Sequence, residues 1–314
     1  MGLAAGLSLY ALLGGCTGEG QPLQVASHVW PGYELMFLAR ERGWLDPARV
    51  ELEPTTSATH SMALLRLGHV DAAALTLDET LRLAAEGVPL RVGLVFNISA
   101  GADMVLARPP IAASSDLVGA RIGVEETALG ALMLSELLAF AGLSREDLEV
   151  VPLTIDQQWS AWETEAVDAL VTYEPVAGRV RADGAHLLFD SRRIPDTIFD
   201  VLAVRTPVAS DQARHLRHLT ASHFRALHHF RSNPVDAGYR MANRLGVTGD
   251  GAIDAFRGIT LPDYHANLAL LRPDDSRVVE AMDKLVPAMA VAGVPAEPPG
   301  GEPLVTTAWL AEAP

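Results

Sequence analysis

Leu23-Gln24-Val25-Ala26-Ser27, Val50-Glu51-Leu52-Glu53, Ala72 to Leu75 and Leu90 to Val95 are short β-like runs, and amphipathic helical stretches stand between them at Leu35 to Arg42, Ser61 to Leu67 and Glu79 to Ala85. Strands repeated in this way with short loops need crossover connections. A helix supplies each one, so the pattern predicts a parallel sheet covered by helices. The alternation pauses at Gly101-Ala102-Asp103 and Met104-Val105-Leu106-Ala107, then restarts after Pro109-Pro110. A second set follows, with strands at Arg121 to Val124, Leu148 to Val151, Ala169 to Thr172 and His186 to Phe189. Its helices are Leu129 to Ala141, Gln157 to Glu165 and Pro175 to Arg181. Val201 to Val204 is a further strand. Beyond Pro207 the periodicity is almost wholly helical through Ala290, and the Pro- and Gly-rich stretch Pro295 to Pro303 reads as irregular.

The fold class is therefore α/β, with two β/α lobes joined by two strand crossovers, at Met104 to Ala107 and Val201 to Val204. The helical C-terminal part is expected to pack back on the first lobe. Residues 23–105 plus 206–314 would form lobe one and residues 106–205 lobe two.

The chain has 314 residues, 49% of them hydrophobic and 20% charged, which suits two globular domains with real cores. Its net charge of −15 argues against nucleic acid, whose phosphates require Lys and Arg, and against a polybasic membrane surface. With one cysteine there is no disulfide framework. That residue, Cys16, closes the apolar run Leu7 to Leu13 at Leu13-Gly14-Gly15-Cys16. The run is too short for a bilayer span of ~20 residues. Small residues before the cysteine have the form of a processing site. This resembles the lipobox of bacterial lipoproteins, which implies a signal peptide over 1–16, lipidation of Cys16 and a tether over 17–22. Met1 to Ala4 carries no Lys or Arg, against the usual basic start of a signal. The alternative is a buried N-terminal helix ending at the Gly pair.

Four further stretches carry a second resemblance. They are His28-Val29-Trp30-Pro31-Gly32-Tyr33-Glu34 with Leu38 to Leu45, Ser57 with Ala63-Leu64 and Gly68 to Ala73, Asp116 to Val124, and Val167 to Pro175. In this order they resemble the nitrate/sulfonate/taurine-type substrate-binding proteins of ABC importers, a group that includes thiamine-precursor binders. The resemblance covers Leu23 to about Arg205. It implies a type II periplasmic binding protein-like fold, with a small-molecule ligand between the lobes and no reaction catalysed. It also implies a permease and its ATPase as partners, and a site of action in the periplasm or at the cell surface. A monomer is expected, and no cofactor.

In open α/β sheets ligands sit beyond the carboxyl ends of strands, so the strand-to-helix loops are the candidate site. Loop one supplies Trp30, Tyr33 and Glu34; its aromatics either face the cleft or cap the core. Loop two supplies Ser57 and Thr59, whose hydroxyls suit an anionic or polar head group or else cap the helix. Loop three contains a Thr76-x-x-Glu79 capping-box pattern, which leaves Asp78 as the cleft residue. Asn97 and Asp103 stand near the first crossover. From lobe two come Glu126 and Thr127, with Glu125 beside them, at a helix start where the dipole also favours acids. Tyr173 and Glu174 precede Pro175, which fixes where the strand ends. Asp200 stands before the return strand.

Glu34, Asp78, Asp103, Glu125, Glu126, Glu174 and Asp200 lie in these loops with no Lys or Arg among them. A cleft of carboxylates and aromatics disfavours simple inorganic anions. It suits an amine-containing or N-heterocyclic ligand, and an aminosulfonate whose anion sits on loop two would also fit. His215, His218, His223, His228 and His229 in the tail lack the carboxylate or Cys companions of a metal site, and solvated helix positions account for them. Trp159 and Trp162 read as packing in lobe two. Two other functions share the fold: a receptor that signals to a membrane partner, and the yeast-type pyrimidine synthases. The synthases look to a cysteine-rich motif, and this chain has no cysteine beyond Cys16.

Overall fold

The computed structural model describes residues 21–208, 210–273, 276–291, 293–296 and 303–313. Cys16, its leader and most of the tether lie outside the described residues.

The elements in chain order are β1 (Leu23–Ser27), α1 (Glu34–Glu41), β2 (Val50–Pro54), α2 (Ala58–Leu67), β3 (Ala72–Thr76), α3 (Leu77–Ala85) and β4 (Leu90–Ser99). The chain then crosses to β5 (Met104–Ala107), β6 (Arg121–Val124), α4 (Ala128–Ala141), β7 (Glu149–Pro152), α5 (Ile155–Glu163), β8 (Ala169–Thr172), α6 (Val176–Ala182) and β9 (His186–Asp190). It returns at β10 (Phe199–Arg205) and finishes with α7 (Ser210–Ser232), α8 (Pro234–Leu245), α9 (Gly249–Asp254), β11 (Ile259–Thr260), α10 (Tyr264–Leu270) and α11 (Arg277–Val291).

Two sheets result. Lobe one has the order β11-β4-β10-β3-β1-β2, and lobe two has β7-β6-β8-β5-β9. β1 runs parallel to β2 and β3, with Leu23 opposite Val50 and Val25 opposite Ala72. β6 runs parallel to β7 and β8 in the same way. The β3 run Ala72–Thr76 is buried at every position, as expected of a strand covered on both faces. This is the two-lobe, type II binding-protein architecture.

The crossover strands are not shared between lobes. Met104–Ala107 pairs antiparallel with β8 and β9 and belongs wholly to lobe two. Val201–Val204 pairs antiparallel with β3 and β4 and belongs to lobe one. The passages between lobes are instead residues 100–103 and 191–198. In the tail, α7 packs on α1, β1 and β2, and α11 packs on α3 and reaches α4 of lobe two. The described part of the C-terminal segment is not loose, because Val305 bridges to Val92 at β4.

Candidate functional site

Between the lobes lies a narrow cavity with about 30 Å³ of water-accessible space. It is placed by topology. The carboxyl ends of β1, β3, β6 and β8 open onto it, and β10 runs antiparallel to β3, so Asp200 at its start stands opposite Thr76 at the end of β3.

Aromatic side chains build one wall. Pro31-Gly32-Tyr33 forms a short helical turn directly after β1, which carries Trp30 and Tyr33 inward. Gly32 is needed there, because a Cβ would stand 1.8 Å from Asn97 Oδ1. That approach lets Trp30 Nε1 donate to Asn97 Oδ1 at 2.9 Å. Asn97 Nδ2 in turn donates to Asp200 Oδ2 at 2.6 Å, and the Tyr33 hydroxyl donates to Asp200 Oδ1 at 2.5 Å. Asp200 thus holds both aromatic residues of loop one. Tyr173 of lobe two meets Trp30 edge-on, ring centroids 5.3 Å apart, and His28 at 6.2 Å.

Carboxyl groups build the other wall: Glu79, Asp103, Glu125 and Asp200 line the cavity, and no Lys or Arg does among the described residues. Burial pushes Asp103 up to about 6, with Ser99 pulling the other way. Burial also carries Glu79 and Asp200 well above the usual carboxylate range, reinforced by neighbouring acids. Asp78, just behind, is pushed up to about 7, chiefly by burial. His28 is held down to about 3 by burial and by Arg244, so its imidazole is neutral at pH 7. Several buried polar atoms of the lining residues have no hydrogen-bond partner: His28 Nδ1, Asp103 Oδ2, Gln158 Oε1, Thr172 Oγ1 and the Tyr173 hydroxyl. Leaving such groups unpaired costs about 1–3 kcal/mol each, so this cavity is made for a polar guest.

Of the residues nominated from sequence, Trp30, Tyr33, Asp103, Thr127, Tyr173 and Asp200 line the cavity. Thr127 also caps α4, accepting from the Gly130 N–H. The others stand elsewhere. Glu34 is buried in the first turn of α1 and pairs with Arg244 of α8 at 2.8 Å. Ser57 caps α2 through the His60 N–H. Asp78 lies one layer behind the wall, and Asn97 backs Trp30. Glu126 is exposed, and its carbonyl accepts from Arg82. Its neighbour Glu125 is the one turned inward. Glu174 accepts from the Gly178 N–H at 2.9 Å, ties down the start of α6, and borders a separate surface recess. Thr59 does not line the cavity; it donates across the cleft to Glu125.

His28, Thr76, Glu79 and Gln158 are additional lining residues. His28 was accessible to the strand-end rule, as the first residue after β1. Thr76 and Glu79 do form the capping box their spacing predicts, and they face the cavity as well. Gln158 sits in the second turn of α5, where no local signal marks it. Among the tail histidines, the solvated reading fails for His215 and His223, which are buried. His223 lies edge-on to Phe96 and is held down to about 3 by burial. Among the described residues no three His, Cys, Asp or Glu are arranged to hold a metal. Trp162 is buried in lobe two, with its indole N–H on Asp183.

Solved structures share this fold. The chain is similar to the periplasmic aliphatic sulphonate binding protein SsuA of Escherichia coli, with 17% identity and a TM-score of 0.68 over 87% of this chain and 86% of that one. The alkanesulfonate-binding protein SsuA of Xanthomonas axonopodis pv. citri, solved with MOPS bound, is 16% identical with a TM-score of 0.71 over 94% and 100%. The desulfurization enzyme DszB is 19% identical with a TM-score of 0.62 over 92% and 96%. At these identities the likeness speaks of fold alone. No curated protein sequence matches the chain significantly. The family model described as NMT1/THI5 like matches residues 30–237, two thirds of the chain, and the protein belongs to that family.

Proposed function

We propose that the protein is an extracytoplasmic solute-binding receptor that closes its two lobes on a small cationic or N–H-rich organic ligand and delivers it to an ABC importer. The observation that carries this reading is the cavity wall. Four carboxyl groups and a set of unpaired buried polar atoms, the acceptors Asp103 Oδ2 and Gln158 Oε1 among them, face one space with no Lys or Arg among the described lining residues. An amine or protonated N-heterocycle supplies both the missing charge and the missing donors. Trp30, Tyr33 and Tyr173 offer flat apolar and π surfaces to such a ligand. An aminosulfonate fits less well, because the Thr59 donors proposed for its anion already serve Glu125.

Family membership supports a binding role, and the SsuA proteins of the same fold bind sulfonates. Their ligand class is not carried over, because the charge of this cavity has the opposite sign preference. The leader supports a lipid anchor at Cys16. A Cys16→Ser protein should appear in the soluble fraction with unchanged ligand affinity.

Isothermal titration against a panel of amines, amidines, N-heterocycles and inorganic anions tests the proposal. Binding confined to the nitrogenous cations supports it. Tight binding of nitrate or sulfate with no response to any cation would overturn it.

A further inference from the structure

Glu125 joins the two lobes at the edge of the cavity. Its Oε1 accepts from Thr59 Oγ1 at 2.7 Å and from the Thr59 N–H at 3.2 Å, so a lobe-two carboxylate sits on the first turn of α2 in lobe one. The Ile155 N–H, at the start of α5, also favours its charged form. The start of α2 in lobe one therefore aims two donors at a lobe-two carboxylate. Two further hydrogen bonds across the cleft differ in kind. Arg82 and Arg179 reach the main-chain carbonyls of Glu126 and Gly246, outside the cavity.

We propose that Glu125 is the residue that sets the charge of the acceptable ligand: as the lobes close, its carboxylate takes the Thr59 donors that an anionic ligand group would otherwise occupy. This rests on the reading of the cavity as a ligand site. In the closed form a sulfonate or carboxylate brought to Thr59 meets a carboxylate already there, and like-charge contact in a buried place is costly. A cationic ligand meets no such conflict and gains a neighbour of opposite sign. Among the described residues no other lining carboxyl bonds Thr59. Burial holds Glu79 and Asp200 well above the usual range. Burial raises Glu125 as well, with the Thr59 and Ile155 donors opposing it.

The proposal predicts a gain of function. Methanesulfonate, titrated calorimetrically into the full chain, should bind Glu125→Ala at least about tenfold more tightly than the wild type, with Glu125→Gln between them. Adding Thr59→Val to Glu125→Ala should remove most of that gain, since it deletes the hydroxyl donor. Thermal melts establish that each variant is folded, and Glu125→Gln carries the test if the alanine protein does not fold. Equal or weaker methanesulfonate binding by the folded variants overturns the assignment. Benzamidine, titrated in parallel into the wild type, separates the two claims. Its binding without any sulfonate gain sinks the role of Glu125 alone. A sulfonate gain without benzamidine binding leaves Glu125 standing and counts against the cationic reading.

Discussion

The Tyr33 hydroxyl donates to Asp200 Oδ1 over 2.5 Å, joining the turn after the first strand to the start of the return strand 167 residues later. Both partners are buried, and Asn97 takes the second carboxyl oxygen. One carboxyl group thereby fixes the aromatic wall of the cavity. Tyr33→Phe should cost about 1 kcal/mol and Asp200→Ala about 2–3 kcal/mol of stability, because the second leaves two buried donors unpaired. A double-mutant cycle by urea unfolding should return a coupling of about 1–2 kcal/mol. Additive losses would show that the bond does not carry this role.

Asp103 provides a pH signature. Burial raises its carboxyl from 3.8 to about 6, so between those values the folded protein holds a proton that the unfolded chain has lost. Stability then falls as pH rises through this window. His28 and His223, buried neutral and held down to about 3, act in the opposite direction, so the effect is read as a difference between proteins. Asp103→Asn should gain stability relative to the wild type as pH rises from ~4 to ~6 and level off above, by on the order of 3 kcal/mol. A pH-independent difference would contradict the burial argument.

Arg244 holds loop one from behind. Its guanidinium pairs with Glu34, bonds the carbonyls of Ser27 and His28, and lies 3.5 Å from the centre of the Phe37 ring. Burial pushes Glu34 up to about 7 even with Arg244 pulling it down. Arg244→Met should therefore cost about 3–5 kcal/mol, the cost of stranding a buried carboxylate. Adding Glu34→Gln should recover part of that loss in chemical denaturation. Equal stability of the single and double variants would refute the pairing.

Glu174 makes a contrasting case. It caps the start of α6 through Gly178 and has Arg181 at 3.7 Å, away from the cavity. Glu174→Ala should lower stability by about 1 kcal/mol while leaving the affinity for any bound cation unchanged. A tenfold loss of affinity with unchanged melting would place it in the site after all.

Much of this molecule is written in short-range pattern. The β-α-β repeats from Leu23 to Val95 and from Arg121 to Phe189 yield most of both sheets, because burial on two faces demands apolar runs and helices must return the chain. The strand-end rule then places Trp30, Tyr33, Thr127 and Tyr173 at the cleft, since β1, β6 and β8 all point their carboxyl ends at it. It could not choose between Glu125 and Glu126. Both precede the Thr127 cap of α4 and lie outside helical periodicity, so only the folded loop turns Glu125 to the opposite lobe and Glu126 to water. Long-range partners were equally hidden. Glu34 belongs to Arg244, 210 residues away, and Asp200 to Tyr33 and Asn97. Local sequence carries periodicity and capping, which are properties of neighbours a few residues apart. The sign and pairing of a buried charge depend on whatever the folded chain brings beside it, and here that came from a distant helix and the opposing lobe.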